Sequence, residues 1–299
     1  MSAAKIARLA DRGVVSVTGA DGEKLLQGLV TNDLEDLAEG EARHTGLLSP
    51  QGKILFDFFV VRHNDGYLLD VARAKAGDLA KRLSLYKLRA DVAITDVTES
   101  FNVYAAWGTD SKKLVDGRGI SFKDPRHPTI GLRLLSNSDE IAATPGGGEQ
   151  GGDSRRDYDA LRVQSGIPEG GKDYEFGDAY PHEADFDLLN GVSFTKGCYV
   201  GQEVVARMQN KTVVRKRAVK VSGSAPLSPH TDILLGDIPV GRIGTVDGTD
   251  AIAMLRLDRV IEAENKDQPL TAGGVIVTPD DVAVGRYRAS AAARTSTAL

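Results

Sequence analysis

The sequence predicts an α+β body up to Met208 and a small all-β barrel after it. Three observations carry this. Ile54–Val61, Tyr67–Val71, the helix-period set Ala76, Leu79, Ala80 and Leu83, and Val92–Val97 follow one another in β-β-α-β order. After Met208, short apolar runs recur between Gly, Pro and Asp turns, the pattern of a small barrel. Between the two, Thr144–Asp153 has five glycines and a proline in ten residues and reads as a flexible linker.

Taken in order, Val14–Val17 is a short strand, and Thr18 with Asp21 three residues on forms a capping box for a helix through Leu25, Leu26, Leu29 and Val30. Asn32-Asp33 ends that helix. The run Ile54–Val61 is almost unbroken in β-branched and aromatic residues, and Asp65-Gly66 turns it into the strand Tyr67–Val71. Phe101–Ala105 and Ile130–Leu134 alternate as further strands, and Asp157–Ser165 is helical. The barrel strands are Ala218–Val221, Ile233–Leu235, Arg242–Val246, Ile252–Leu257, Val275–Val277 and Val284–Tyr287, and the Ala/Ser/Thr-rich tail Ala289–Leu299 is frayed.

Composition bounds the chemistry. The chain of 299 residues is 41% hydrophobic and 26% charged, ordinary for a folded protein, and its net charge of −5 gives no global attraction to nucleic acid or to an anionic membrane. It holds one cysteine, Cys198, so an internal disulfide, a zinc ribbon and a cluster ligated by this chain alone are all excluded. A single thiol fits a reducing compartment. The start MSAAKIARLADRG lacks an apolar core of signal-peptide length, and no run approaches a membrane span, so the expected location is the cytoplasm.

Most motif matches are weak. Gly146–Gly151 fits G-x-G-x-x-G in letters but has no buried strand before it, so it stays with the linker. The five histidines, at 44, 63, 127, 182 and 230, have no metal-ligand spacing. From Arg207 to Lys220 there are six positive charges and no acid, read either as a charged edge that discourages sheet pairing or as an anion site for a polyglutamate, a phosphate or RNA.

The segment Lys196-Gly197-Cys198-Tyr199-Val200-Gly201-Gln202-Glu203 is more informative. Val200, Val204, Val205 and Met208 predict a helix starting near Gly201 with Cys198 just before it. A helix N-terminus, Lys196 and Arg207 would each favour a thiolate, whereas a lone cysteine is otherwise a small buried hydrophobe. The eight residues resemble the K-G-C-[FY]-x-G-Q-E signature of the YgfZ family, folate-binding proteins that maintain iron–sulfur enzymes and are related to the glycine-cleavage aminomethyltransferase GcvT. Val17-Thr18-Gly19, Leu25-Leu26-Gln27, Thr31-Asn32-Asp33, Leu48–Ile54, Arg162 with Gly166-Ile167-Pro168, and Pro181-His182-Glu183 extend the resemblance over most of the chain.

The resemblance implies a GcvT-like three-part fold: two intertwined α+β domains and a C-terminal β-barrel around a central channel for tetrahydrofolate. Residues 1–45 with 152–208 would form the first domain, 46–143 the second, 144–151 the linker, 212–289 the barrel and 290–299 a flexible tail. It implies a site for tetrahydrofolate, or a polyglutamylated reduced folate, drawn from Asn32, Asp33, Lys196, Tyr199, Gln202, Glu203 and Arg207, with Cys198 as the functional thiol. Glu183 is a further carboxylate near a matching motif. One departure matters: Phe56 stands where the aminomethyltransferases carry the first acid of a Gly-Gly-x-x-Asp-Asp segment, with Asp57 at the second position, which argues against glycine-cleavage activity.

Three functions are weighed on these residues. The leading expectation is a folate-binding accessory protein for assembly or repair of [4Fe–4S] enzymes, Cys198 being one ligand of a cluster shared with an assembly protein or client, or the site of a transient adduct, because one thiol cannot hold a cluster alone. The second is a folate-dependent one-carbon transferase acting on an amine, an RNA or a cofactor, with Asp57 or another channel carboxylate as base. The third is a cysteine-nucleophile hydrolase using His182.

Overall fold

The structure is a computed structural model and describes residues 3–138, 141 and 152–297. The expected linker at 144–151, with its glycine motif, lies outside the described residues. Two compact units form, Met1–Tyr158 with Phe186–Gln202, and Asp159–Asp185 with Glu203–Leu299.

The first unit runs β1 (Lys5–Arg8), β2 (Arg12–Thr18), α1 (Gly22–Gln27), β3 (Ala42–Leu48), β4 (Ile54–His63), β5 (Gly66–Ala72), α2 (Ala76–Lys87), β6 (Ala93–Asp96), β7 (Asn102–Trp107), α3 (Lys112–Val115), β8 (Ile120–Lys123) and β9 (Leu132–Ser136). Its sheets have the orders β3-β4-β5-β2-β6 and β1-β7-β9-β8. Strand alternation explains the layering. Phe56, Phe58 and Val60 of β4 pack with Val15, Val17, Leu69 and Val71 against Leu26 and Leu29 near α1 and Leu79 and Leu83 of α2. Phe59, on the opposite face, meets Phe122 of β8 at 6.1 Å between ring centroids. Burial on both faces is why residues 54–61 read as a nearly continuous apolar run.

Between these two sheets lies a buried charge network. Asp70 of β5 is fully buried and accepts Arg12 Nε at 2.7 Å and Arg133 Nη1 at 2.8 Å. Asp124 takes Arg126 at 2.8 Å and Arg133 at 3.2 Å, and Tyr158 Oη accepts from both arginines. All three guanidinium groups lie over the Phe59 ring, at 4.4 Å for Arg133, 5.0 Å for Arg126 and 5.8 Å for Arg12. Burial alone would raise the Asp124 pKa, but the paired arginines outweigh it and hold the carboxyl well below its usual range. Removing one member of such a pair typically costs about 3–5 kcal/mol, because it strands a desolvated charge.

The second unit holds the C-terminal half of α4 (Gly152–Gln164), most of α5 (Gln202–Lys211), and β10 (Lys216–Gly223), β11 (Asp232–Leu235), β12 (Ile238–Asp247), β13 (Asp250–Arg256), α6 (Leu257–Asn265), β14 (Leu270–Ala272), β15 (Val275–Pro279) and α7 (Asp281–Thr297). The strands close a barrel in the order β10-β13-β12-β11-β14-β15 around Val219, Val221, Ile233, Ile243, Ala253 and Leu255. Arg162 is fully buried and ties the end of α4 to the barrel, donating to Asp173 Oδ2 at 3.1 Å, Ile167 O at 2.9 Å and Thr245 Oγ1 at 3.2 Å.

Several expectations are corrected. The Thr18–Asp21 capping box does not form: Asp21 caps α1 without a side-chain bond to it, its carboxylate accepting the Asp91 N–H at 2.9 Å instead. The boundary expected at residue 45 falls inside β3, since β2 and β3 belong to the same sheet as β4 and β5. Val284–Tyr287 is helical within α7, which continues through the supposed tail to Thr297, as the Ala-rich run from 289 to 293 favours. The basic strip is no sheet edge, because β10 pairs with β13 and β15. Nor is its strand portion an open anion site: Lys216 pairs with Asp178 at 3.4 Å, Arg217 with Asp185 at 2.7 Å and Lys220 with Asp250 at 3.6 Å.

His44 of β3 provides a pH test. It is buried between the rings of Phe59 and Phe186, at 5.6 and 4.6 Å, with Nδ1 beside Leu189 O at 3.2 Å. Burial first, and then Arg126, lowers its pKa from 6.5 to about 4. The folded state therefore binds fewer protons than the unfolded state between these values. The contribution is complete above pH 6.5 and is lost as pH falls towards 4, removing about 3 kcal/mol. Urea titrations across this range should show that loss in the wild type and a flatter profile in His44→Gln.

Candidate functional site

The K-G-C segment folds as a turn braced against α1. A six-residue helix leaves carbonyls without intrahelical partners, and here a distant ammonium satisfies those at and just beyond its end. Lys196 is buried, and its Nζ donates to Gln27 O at 2.9 Å, Val30 O at 2.8 Å and Asn32 O at 2.7 Å, with Gln27 Oε1 also at 3.3 Å. An ammonium has three N–H donors, so these acceptors exhaust it. Burial lowers its pKa to about 8, which leaves it charged at neutral pH, and Tyr199 places its ring 5.4 Å from Nζ.

Other members of the constellation are committed in the same way. Asn32 donates its amide to His44 O and Asn190 O, at 2.8 and 2.7 Å, and accepts Asp33 N at 2.9 Å. Thr31 Oγ1 donates to Gly191 O at 2.6 Å, and Ser193 N donates to Thr31 O at 3.0 Å. Gly201 has φ +83, and a Cβ there would lie 2.8 Å from Ser49 O and 3.1 Å from Gly52 Cα. The signature glycine therefore seats the segment on the 49–53 turn, which explains why K-G-C-Y-V-G-Q-E and Ser49–Lys53 are legible together.

The structure thus gathers Asn32, Asp33, Lys196, Cys198, Tyr199 and Gln202, but not in the roles expected for all of them. Lys196 and Asn32 are structural ties whose polar atoms face backbone. Tyr199 is buried, and desolvation raises its phenol to about 12. Cys198 is exposed, four positions before the first residue of α5. The cations expected to act on its thiol are otherwise engaged: Lys196 turns inward, and Arg207 pairs with Glu203 at 3.0 Å on an exposed face of α5. Glu203 and Arg207 therefore do not form a buried grip for a pterin. Asp33 Oδ1 accepts from Gln27 Nε2 and Glu35 N. Burial would raise its pKa, but these bonds and Lys196 lower it, so the group is anionic.

Phe56 lies in the apolar core against α1 and α2, so that position contributes no acid. Asp57 is buried beyond it on β4, opposite Gly46, where it acts electrostatically on His44. In the second unit, His182 Nε2 is bonded to Gln209 Oε1 at 2.9 Å, and Glu183 Oε2 accepts Tyr180 N at 3.0 Å. Among the described residues, no group of three or more His, Cys, Asp or Glu side chains is placed to hold a metal ion. The Gln27 side chain is a hub of the site that was not among the expected site residues. Its signal was the L-L-Q match itself, read only as helix.

The fold and this turn define a protein of the aminomethyltransferase architecture with a separate C-terminal barrel. Residues 2–121 match the GCVT N-terminal domain, and residues 215–292 match the CAF17 C-terminal β-barrel domain. The glycine cleavage system aminomethyltransferase T from Bartonella henselae superposes with a TM-score of 0.70 over 92% of this chain and 84% of that one; at 14% identity this likeness is one of fold. Iron-sulfur cluster assembly factor IBA57, mitochondrial, of Mus musculus is 36% identical over 283 residues, covering 85% of this chain and 78% of that protein. The Homo sapiens protein of that name is 33% identical over 280 residues with the same coverage. The chain belongs to this family of IBA57 iron–sulfur cluster assembly factors. It spans only 57% of the Mycosarcoma maydis homologue's length, 61% of the Dictyostelium discoideum one and 62% of the Neurospora crassa one.

These relatives overturn the expected cytoplasmic location, since each bears the name mitochondrial. The single cysteine pointed to a reducing environment, and that argument does not separate cytoplasm from a mitochondrial interior.

The two glycines of the signature make contrasting tests. Gly201→Ala should lower the urea unfolding free energy by about 1–3 kcal/mol through backbone strain and contact with Ser49. Gly197→Ala, with nothing within 4 Å of the added Cβ, should change it by less than about 0.5 kcal/mol.

Proposed function

We propose that the chain is an iron–sulfur cluster assembly factor of YgfZ type, which presents Cys198 as one ligand of a cluster shared with an assembly partner or client enzyme. The observation that carries this is the exposure of the only thiol on a turn whose neighbours Lys196, Tyr199 and Gly201 are fixed inward. One thiol cannot hold a cluster alone, and ligation releases its proton to solvent. The cluster is cargo on this reading. Relatives named as iron–sulfur assembly factors support it.

Reduced folate is the proposed cofactor. The donor set fits it in part. Lys196 and Asn32 have no polar atom to spare, whereas Asp33 keeps one carboxylate oxygen, and the half-buried Gln202 keeps an amide with no side-chain bond among the described residues. An anionic carboxylate and an amide suit the N–H and carbonyl groups of a pterin edge. A bound reduced folate supplies one-carbon chemistry at its ring nitrogens; Asp33 and Gln202 would bind and orient it. The transferase alternative has less support, because Phe56 is core and Asp57 is buried beside His44.

In a strain lacking the protein, Cys198→Ser should leave [4Fe–4S] enzyme activity at the deletion level, and full restoration would contradict the ligand role. Calorimetry with tetrahydrofolate and its polyglutamates should show binding that weakens about tenfold in Asp33→Asn. Absence of binding to any reduced folate would remove the cofactor from the account.

A further inference from the structure

Gln27 is the last residue of α1 and is half-buried, with both polar atoms of its side chain engaged. Its Oε1 accepts the Leu34 N–H at 2.9 Å and faces the Lys196 ammonium at 3.3 Å. Both neighbours can only donate, so the amide must turn its oxygen towards them. The NH2 group is thereby aimed the other way, and it donates to Asp33 Oδ1 at 2.8 Å. This bond joins the two matched motifs Leu25-Leu26-Gln27 and Thr31-Asn32-Asp33.

The consequence falls on Asp33. Its Oδ1 also accepts the Glu35 N–H at 3.0 Å, and its own N–H is held by Asn32 Oδ1 at 2.9 Å, so the carboxyl group and the backbone that carries it are both fixed. Two donors occupy one carboxylate oxygen. The other, Oδ2, has no hydrogen bond or ion pair among the described residues. Burial would raise the Asp33 pKa, but the Gln27 and Glu35 bonds, with the charges of Lys196 on the signature turn and Arg43 on β3, lower it. The free oxygen therefore belongs to an anion.

We propose that Gln27 is the positioning residue of the candidate folate site, holding Asp33 so that one carboxylate oxygen is presented to an N–H of the ligand. The role rests on the reduced-folate reading of Asp33 and adds the residue that acts through it. A carboxylate fixed before the ligand arrives has less side-chain freedom to lose on binding. A charge-assisted bond from it is also roughly twice as strong as a neutral one. A residue that served only to finish α1 would need the Oε1 acceptor, facing Leu34 N and Lys196, and nothing more. The donation to Asp33 is the part that such a structural role does not use.

Tetrahydrofolate binding to the full chain is measured by calorimetry from pH 5 to pH 8, with urea unfolding alongside. The wild type should bind with little change across this range, because Asp33 is anionic throughout it. Gln27→Glu keeps an acceptor for Leu34 N and Lys196 but sets a second carboxylate against Asp33. Its urea midpoint at pH 5 should stay close to that of the wild type. Its affinity should fall about tenfold at pH 8 and recover towards pH 5, where one proton shared between the two carboxyl groups restores a donor. Gln27→Met, which loses donor and acceptor together, should weaken binding about tenfold in the wild-type background and less than about twofold in Asp33→Asn, where the group it positions is already gone. Gln27 variants that bind like the wild type at every pH, or a Gln27→Met loss equal in both backgrounds, would overturn this role alone. A wild type that binds no reduced folate would remove the cofactor reading and this role with it.

Discussion

The Lys196 ammonium is the interaction on which the candidate site depends. It reaches across 169 positions of sequence to close the end of α1, and no local residue takes that place. Without it, the carbonyls of Gln27, Val30 and Asn32 would be left without their charged donor, at about 1–3 kcal/mol for each buried group left unsatisfied. The desolvation that lowers its pKa to about 8 is the cost of that position, and the concentrated hydrogen bonding offsets it. Two residues on, Cys198 is exposed. One short turn thus fixes its lysine and frees its cysteine.

The same segment is attached at three further points. Phe186 lies where a Cβ on Gly46 would come within 2.9 Å, Thr31 binds Gly191 O, and Gly201 rests on the 49–53 turn. Each attachment joins the segment to β3, the turn between β3 and β4, or the chain just after α1. These strands are in turn held flat against the second sheet by Asp70, Asp124 and their arginines. Buried ion pairs contribute little net stability, but they tolerate few alternatives in geometry, and that suits a layer on which a site must be placed.

Much of this architecture was legible in the residues. The β-β-α-β order, the burial of Ala76, Leu79 and Leu83, and five of the six barrel strands followed from periodicity and turn chemistry. Val284–Tyr287 misled because four alternating residues fit a strand and an exposed helix end equally, and only the Ala-rich continuation distinguishes them. The neighbourhood of Cys198 was marked by its signature, yet the signature does not say which side chains point inward. Lys196 and Asn32 were expected as ligand contacts because one lies in the signature and the other in a turn that matches the same family. Their real partners are backbone carbonyls brought in by the fold, which one-dimensional spacing does not show. The buried network was invisible for the same reason: Arg12, Asp70, the pair Asp124 and Arg126, and Arg133 are spread over four separate chain segments.

Native-state hydrogen exchange on the wild type and Lys196→Met tests the central claim most directly. Amides of Leu29, Val30 and Thr31, bonded to Leu26 O, Leu26 O and Gly46 O, and those of Gly191 and Ser193, bonded to Phe186 O and Thr31 O, should exchange as one cooperative unit and lose protection together in the variant. Loss confined to residues 191–202, with 27–34 unchanged, would show that the ammonium does not hold the end of α1 and would contradict the account.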